Sequence, residues 1–311
     1  AMTRNISPYL VEGPDAAITN REKPLCDVPE IGIGNKPIDN GNYLFTPEEK
    51  AAFLSREPAS EGFFRPWVGA EEFIQRRERW CLWLGDCPPS KLRQMPEAMK
   101  RVEAVREYRS RSVSPPTRKL ADTPTRFHVE NMPETEYLLI PSVSSERRKY
   151  IPMAFMDPQI ITSNLCLIVR DATVFNFGVL SSTMHMSWVR LVCGRLKSDY
   201  RYSNKLVYNN YPWPEERTAK QRAAVEAAAQ KVLDVRAEFA DSSLADLYDP
   251  LTMPARLLKA HQALDRAVEK CYRSQPFESD RQRVEFLFAL YEKLTSPLTA
   301  AARPRRQMRK M

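Results

Sequence analysis

A chain of 311 residues is long enough for about two domains, and with 43% hydrophobic residues and a net charge of +8 it can build a core, which excludes general disorder. Six cysteines without a CxxC pair and three widely separated histidines exclude a disulfide framework and a locally built zinc site. No run of about 18 apolar residues is present, which excludes a membrane-spanning helix, and the positive balance suits a phosphate-bearing partner without demanding one.

The first residues read as irregular. AMTRN carries no signal-peptide pattern. Ala1 before Met2 is expected to be a remnant of expression, and the Pro-rich opening fits a piece cut from a longer chain. Residues 1–40 are therefore expected to be a linker, dense in Gly, Pro, Asn and Asp. Thr46-Pro47-Glu48-Glu49 predicts a helix start, with Thr46 as N-cap, Pro47 in the first helical position and Glu49 closing a capping box. A second helix is expected over 70–79, a buried strand over RWCLWL (79–84) and a charged helix over 91–111, which the prolines of SVSPPTRK (112–119) end.

From 120 to 170 the periodicity turns to strands: FHVEN (127–131), YLLIP (137–141), YIPMAF (150–155) and NLCLIV (164–169), with SSERRK (144–149) linking two of them. VFNFGVL (174–180) reads as a further strand, followed by a helix over 182–196 and a Tyr- and Arg-rich connection ending at Pro212 and Pro214. Helices are then expected over 215–240, within 247–272 and over 279–294, before the basic tail ARPRRQMRKM. The fold class is α+β: a mixed domain over 41–213 and an α-helical domain over 214–311.

Catalytic patterns fail on inspection. Ser114-Pro115-Pro116-Thr117 mimics the loop with which amino methyltransferases stack a flipped base, but Thr117 stands where an aromatic ring is needed. IGIGN (31–35) has two glycines and no following helix pattern, so it reads as a turn. Pro14-Asp15 with Glu48 and Lys50 imitates a nuclease, but Glu48 and Lys50 fall in a capped helix start.

The remaining features are ones of binding. Arg195, Lys197, Arg201 and Lys205 lie among Tyr200, Tyr202 and Tyr208, a mixture suited either to phosphate contact or to a solvated basic turn. Arg147, Arg148 and Lys149 form either a solvated loop or a clamp on a nucleic-acid backbone. Ser181, Ser182 and Thr183 open the 182–196 helix, either as caps or as side chains offered to base edges in a major groove, and His185 is expected to pack between helices.

Several longer segments carry a resemblance. NISPYL (5–10), IGNKPIDNG (33–41), RWCLWL, SSERRKYIP (144–152), FNFGVLSSTMHMSWVR (175–190), GRLKSDYRYSNKLVYNNYPWP (194–214), LYDPLTMP (247–254) and the AH..LDRAV run (260–268) together resemble the C-terminal half of MmeI-like restriction–modification enzymes. The resemblance implies a target recognition domain and helical tail of a longer protein, whose absent part would hold S-adenosylmethionine, methylate adenine at N6 and in some relatives also cleave DNA. This chain is then expected to hold no cofactor and perform no catalysis. Its partners would be double-stranded DNA and the methyltransferase domain of the same polypeptide, with no membrane, in the bacterial cytoplasm. The resemblance also implies base choice at Ser181 and Thr183, and either DNA-backbone contact or a structural clamp along GRLKSDYRYS; the residues themselves offer Arg147, Arg148, Lys149, Tyr202 and Lys205 as further backbone candidates. The competing reading is a protein-interaction or oligomerisation module built on the Ala-rich 215–240 helix.

Overall fold

The computed structural model describes residues 17–215 and 218–296. NISPYL, Pro14-Asp15 and the tail ARPRRQMRKM fall outside the described residues. The chain opens with β1 (Ile31–Ile33) and β2 (Leu44–Phe45), then α1 (Pro47–Arg56), whose Thr46–Glu49 capping box forms as the sequence predicts. β3 (Phe64–Val68), α2 (Ala70–Gln75) and β4 (Trp80–Leu82) follow. The charged stretch yields a short α3 (Pro89–Leu92) and the longer α4 (Pro96–Ser110). The prolines after it do not leave a loop: Pro115 and Pro116 take the first positions of a short helix, α5 (Pro115–Lys119), where a missing N–H costs nothing.

The strand-rich region gives β5 (Tyr137–Pro141), β6 (Val143–Ser144), β7 (Ala154–Met156), β8 (Ile161–Thr162) and β9 (Cys166–Val169). FHVEN contributes only an isolated bridge, Lys36 with Val129. VFNFGVL is not a strand but a helix, α6 (Val174–Leu180), capped by Thr173 and Asn176. The next helix, α7 (Thr183–Val192), stops short of 196, because residues 194–201 turn back as a hairpin of β10 (Gly194–Leu196) and β11 (Asp199–Arg201). A π-helical turn (Asn204–Tyr208) leads to α8 (Ala219–Ala237), α9 (Leu244–Leu247), α10 (Ala255–Tyr272) and α11 (Asp280–Thr295).

Three sheets form among the described residues, in the orders β1-β9-β5-β7, β10-β11-β6 and β2-β4-β3-β8. The first is covered on both faces, and the alternation of its side chains shows it. Leu138, Ile140, Leu167 and Val169 join the large core, while Tyr137, Leu139, Cys166 and Ile168 join a smaller cluster against Phe73 and Ile74 of α2. The third sheet has its own aromatic core with Phe53, Trp83 and Val102.

Two expectations about the opening segment need correction. The described part of the 1–40 linker is integral to the fold: β1 forms the sheet edge on β9, and Ile18 and Leu25 are buried. IGIGN is likewise not a simple turn: its Ile31–Ile33 form β1, and Asn35 makes an isolated bridge with Ser163. A Cβ on Gly34 would lie 2.2 Å from the Ser163 carbonyl oxygen, so glycine lets β1 leave the sheet against that backbone. The large core, moreover, does not break at 214. It runs from Leu138 and Phe177 into Val225, Ala229, Leu264 and Leu287, so the helical C-terminal part packs directly on α6 and α7.

Candidate nucleic-acid interface

The sequence leaves Ser181, Ser182 and Thr183, at the junction of α6 and α7, either as caps or as side chains projected toward base edges. The fold takes the first alternative for Ser182 and buries Ser181 beside it. Ser181 is 2% exposed and Ser182 is fully buried. Ser182 caps α7: its Oγ accepts from the His185 backbone N–H at 3.5 Å and donates to the Val179 carbonyl at 2.7 Å. Thr183 is half-buried, and its N–H donates to Asp265 Oδ1 of α10 at 2.7 Å. The helix tip is sealed because α6, an apolar helix, carries it under α10.

His185 packs between elements, as expected, with its ring 4.8 Å from that of Tyr211. Burial holds its pKa down to about 4, against a partial upward effect of the Leu180 carbonyl, so the ring is neutral at pH 7. Nδ1–H then donates to Leu180 O at 2.9 Å, and Nε2 accepts from the Tyr202 hydroxyl at 3.1 Å. Tyr202, 3% exposed, is thereby committed to the interior, which removes it from the candidate phosphate contacts.

The basic residues fare differently. In the hairpin, Gly194 pairs with Arg201, Arg195 with Tyr200 and Leu196 with Asp199. Its turn places Lys197 at φ +56°, a left-handed conformation that non-glycine residues seldom adopt. Gly194 through Ser198 and Arg201 are exposed, while Tyr200 anchors the hairpin in the core. β11 also pairs with β6, through Tyr200 with Ser144 and Arg201 with Val143. That pairing sets the loop carrying Arg147, Arg148 and Lys149 beside the hairpin.

Acidic side chains hold this basic surface in place. Arg195 lies 3.6 Å from Glu146, stacks at 4.1 Å on Tyr200 and donates to the Ser198 carbonyl at 2.9 Å. Arg147 lies 3.9 Å from Asp249, in the turn after α9. Arg148 is half-buried; burial lowers its pKa, and Asp199 and Asp249 act against that lowering. Lys149 sits 5.4 Å over the Tyr150 ring. Lys205 is ion-paired with Glu22 at 2.6 Å. The structure thus gathers Arg147, Arg148, Lys149, Arg195, Lys197 and Arg201 around one small sheet and leaves Ser181, Ser182 and Tyr202 inside. Sequence reasoning missed Asp249 and Asp199, whose proximity to the arginines arises only in the folded chain; both lie within the quoted segments 247–254 and 194–214.

Comparison with known proteins bears on this arrangement. The family description "MmeI, target recognition domain" matches residues 12–215, and "MmeI, C-terminal domain" matches residues 217–299. The chain belongs to the MmeI family. A solved structure of the Type IIL restriction–modification enzyme MmeI in complex with DNA superposes on this MmeI-family chain with a TM-score of 0.91 at 47% identity, over 94% of this chain and 39% of that one. The protein named DNA methyltransferase A, from Bacillus subtilis (strain 168), is 40% identical over 294 residues, 94% of this chain. The chain spans 33% of that relative's length. This MmeI-family chain is therefore a target recognition domain with its C-terminal helical domain, and the α+β class with a helical end is what the fold displays. No helix among its described residues is long and apolar enough to cross a membrane.

Proposed function

We propose that the chain binds double-stranded DNA sequence-specifically on behalf of a longer adenine-N6 methyltransferase, with the β10–β11 hairpin and the Arg147–Lys149 loop as the contact surface. The observation that carries this reading is the pairing of β11 with β6, which unites the exposed basic residues of two distant segments. Arg147, Arg148, Lys149, Arg195 and Arg201 contact phosphates, and Lys205 adds to the field from beside Glu22. Base reading belongs to the hairpin tip, where Leu196 and Lys197 are exposed; of the helix-tip candidates, only the half-buried Thr183 keeps any accessible surface. A two-stranded ribbon is narrow enough for a major groove.

The register so fixed delivers one adenine, flipped from the stack, to the methyltransferase domain of the same polypeptide. S-adenosylmethionine is bound by that domain in the bacterial cytoplasm, and no cofactor or catalytic step is assigned to this chain.

The test is binding of the chain to a DNA duplex over a salt series. A steep negative slope of log K against log salt is expected, and Arg201→Ala should make that slope shallower by about one, the signature of a lost phosphate contact. A flat salt response would instead favour a protein-interaction module.

A further inference from the structure

The AH..LDRAV run and α11 lie outside the proposed contact surface, yet they grip the helix that leads into it. Asp265 accepts from Thr183 N–H and from the Tyr150 hydroxyl, both at 2.7 Å, at the first turn of α7. Asp280, at the start of α11, grips the other end: its Oδ1 accepts from Ser187 Oγ at 3.2 Å and its Oδ2 from Arg190 Nη1 at 2.8 Å. Arg190 then reaches further. Its Nη2 donates to the Lys149 carbonyl at 3.4 Å, in the basic loop. Its own carbonyl accepts from Arg195 Nη2 at 3.4 Å, in the hairpin. One guanidinium and one peptide group therefore tie the C-terminal helices, the basic loop and the hairpin to each other.

We infer that Arg190 is a positioning residue for DNA readout, fixing the hairpin relative to the Arg147–Lys149 loop, with Asp280 as its anchor; the inference rests on the DNA-recognition reading above. Arg190 is itself engaged with protein partners and so is not counted among the phosphate contacts. The pair is partly exposed, 31% for the Arg190 side chain and 51% for Asp280, and an ion pair of that kind adds little to global stability. What it supplies is geometry. A hairpin held loosely still meets phosphates, which tolerate small shifts, but loses registry with base edges, which do not.

The experiment uses the whole chain and two duplexes: one carrying the motif found methylated in a host expressing the full-length parent, the other altered at one position of that motif. Arg190→Gln and Asp280→Asn are each expected to lower the affinity ratio between the duplexes about tenfold, within the range of a single mismatched base pair. The salt slope and the melting temperature should stay at wild-type values, and Asp280→Glu should restore most of the ratio. If the ratio is unchanged in both variants while wild type discriminates, the inference fails alone. It also fails if affinity for both duplexes falls equally with a lower melting temperature, which is a structural role, or if Arg190→Gln makes the salt slope shallower by about one, which is a direct phosphate contact. A wild-type chain that neither discriminates nor responds to salt removes the DNA-recognition reading and this inference with it.

Discussion

Arg109 of α4 is fully buried and directs five N–H donors at five backbone carbonyls: Pro37, Ile38, Leu120, Thr123 and Arg126, all within 3.0 Å. Burial lowers its pKa, with Tyr43 and Asp39 acting against that. It stitches the segment after β1 to the segment after α5, so Arg109→Met should cost about 3 kcal/mol or more by orphaning several carbonyls. The check is a urea midpoint that falls at constant m-value. The sequence displays this residue as one more charge in a helix where Arg and Glu alternate. Only its spacing from Ala98, Val102 and Val105, which places all four on one buried face, marks it as internal. Ser181 and Ser182 illustrate the reverse difficulty. Hydroxyl residues at a helix start read correctly as caps, but whether the capped end faces solvent or another helix is a tertiary fact.

Among the elements whose type the sequence misreports, α6 is the longest. Seven consecutive residues, all apolar or glycine except Asn176, fit a buried strand and a fully buried helix equally well, since neither leaves a polar face to set the period. Phe175 through Leu180 are all buried. The deciding signal is the Thr173–Asn176 capping box, whose N-cap lies one residue ahead of the run and whose Asn176 lies within it. Gly178 shows how close α6 comes to the C-terminal helices: a Cβ there would lie 2.9 Å from Val225, 3.0 Å from Ala229 and 3.3 Å from Leu264. Gly178→Ala is expected to overpack this contact at a cost of about 1–3 kcal/mol, against a helix-propensity gain of about 1 kcal/mol. The net loss should appear in thermal unfolding, with Gly62→Ala, where the added methyl meets nothing within 4 Å, as the neutral comparison. Where a segment had a polar face or a cap, as in α1, α8 and α11, the periodicity placed it well.

At the scale of the whole molecule, two neutral histidines sit inside the core that joins the mixed and helical parts. Burial lowers the pKa of His185 to about 4, and burial, reinforced by Arg236 and Lys149, lowers that of His261 to about 3. In the unfolded chain both return to about 6.5. Above that pH neither state binds the extra protons, and stability is flat with respect to these groups. As pH falls below it, the unfolded chain takes up protons that the folded chain refuses, so stability declines down to the folded pKa values. The urea midpoint should therefore drop between pH 6.5 and 4, and His185→Gln should reduce that pH dependence. The composition of the two halves was legible in the sequence, and the shared core was not, because contacts such as Gly178 to Leu264 join residues far apart in the chain. The hairpin is anchored in this core by Tyr200, and its tip stands clear of it. Its two ends meet as one antiparallel pair, Gly194 with Arg201, and every residue from 194 to 198 is exposed. Its tip can therefore be rewritten at little thermodynamic cost, and on the proposed function, in which that tip meets the bases, point changes or exchange of a short cassette would sample new target preferences while the scaffold folds as before. That separation of readout from foldability is a structural basis for evolvability.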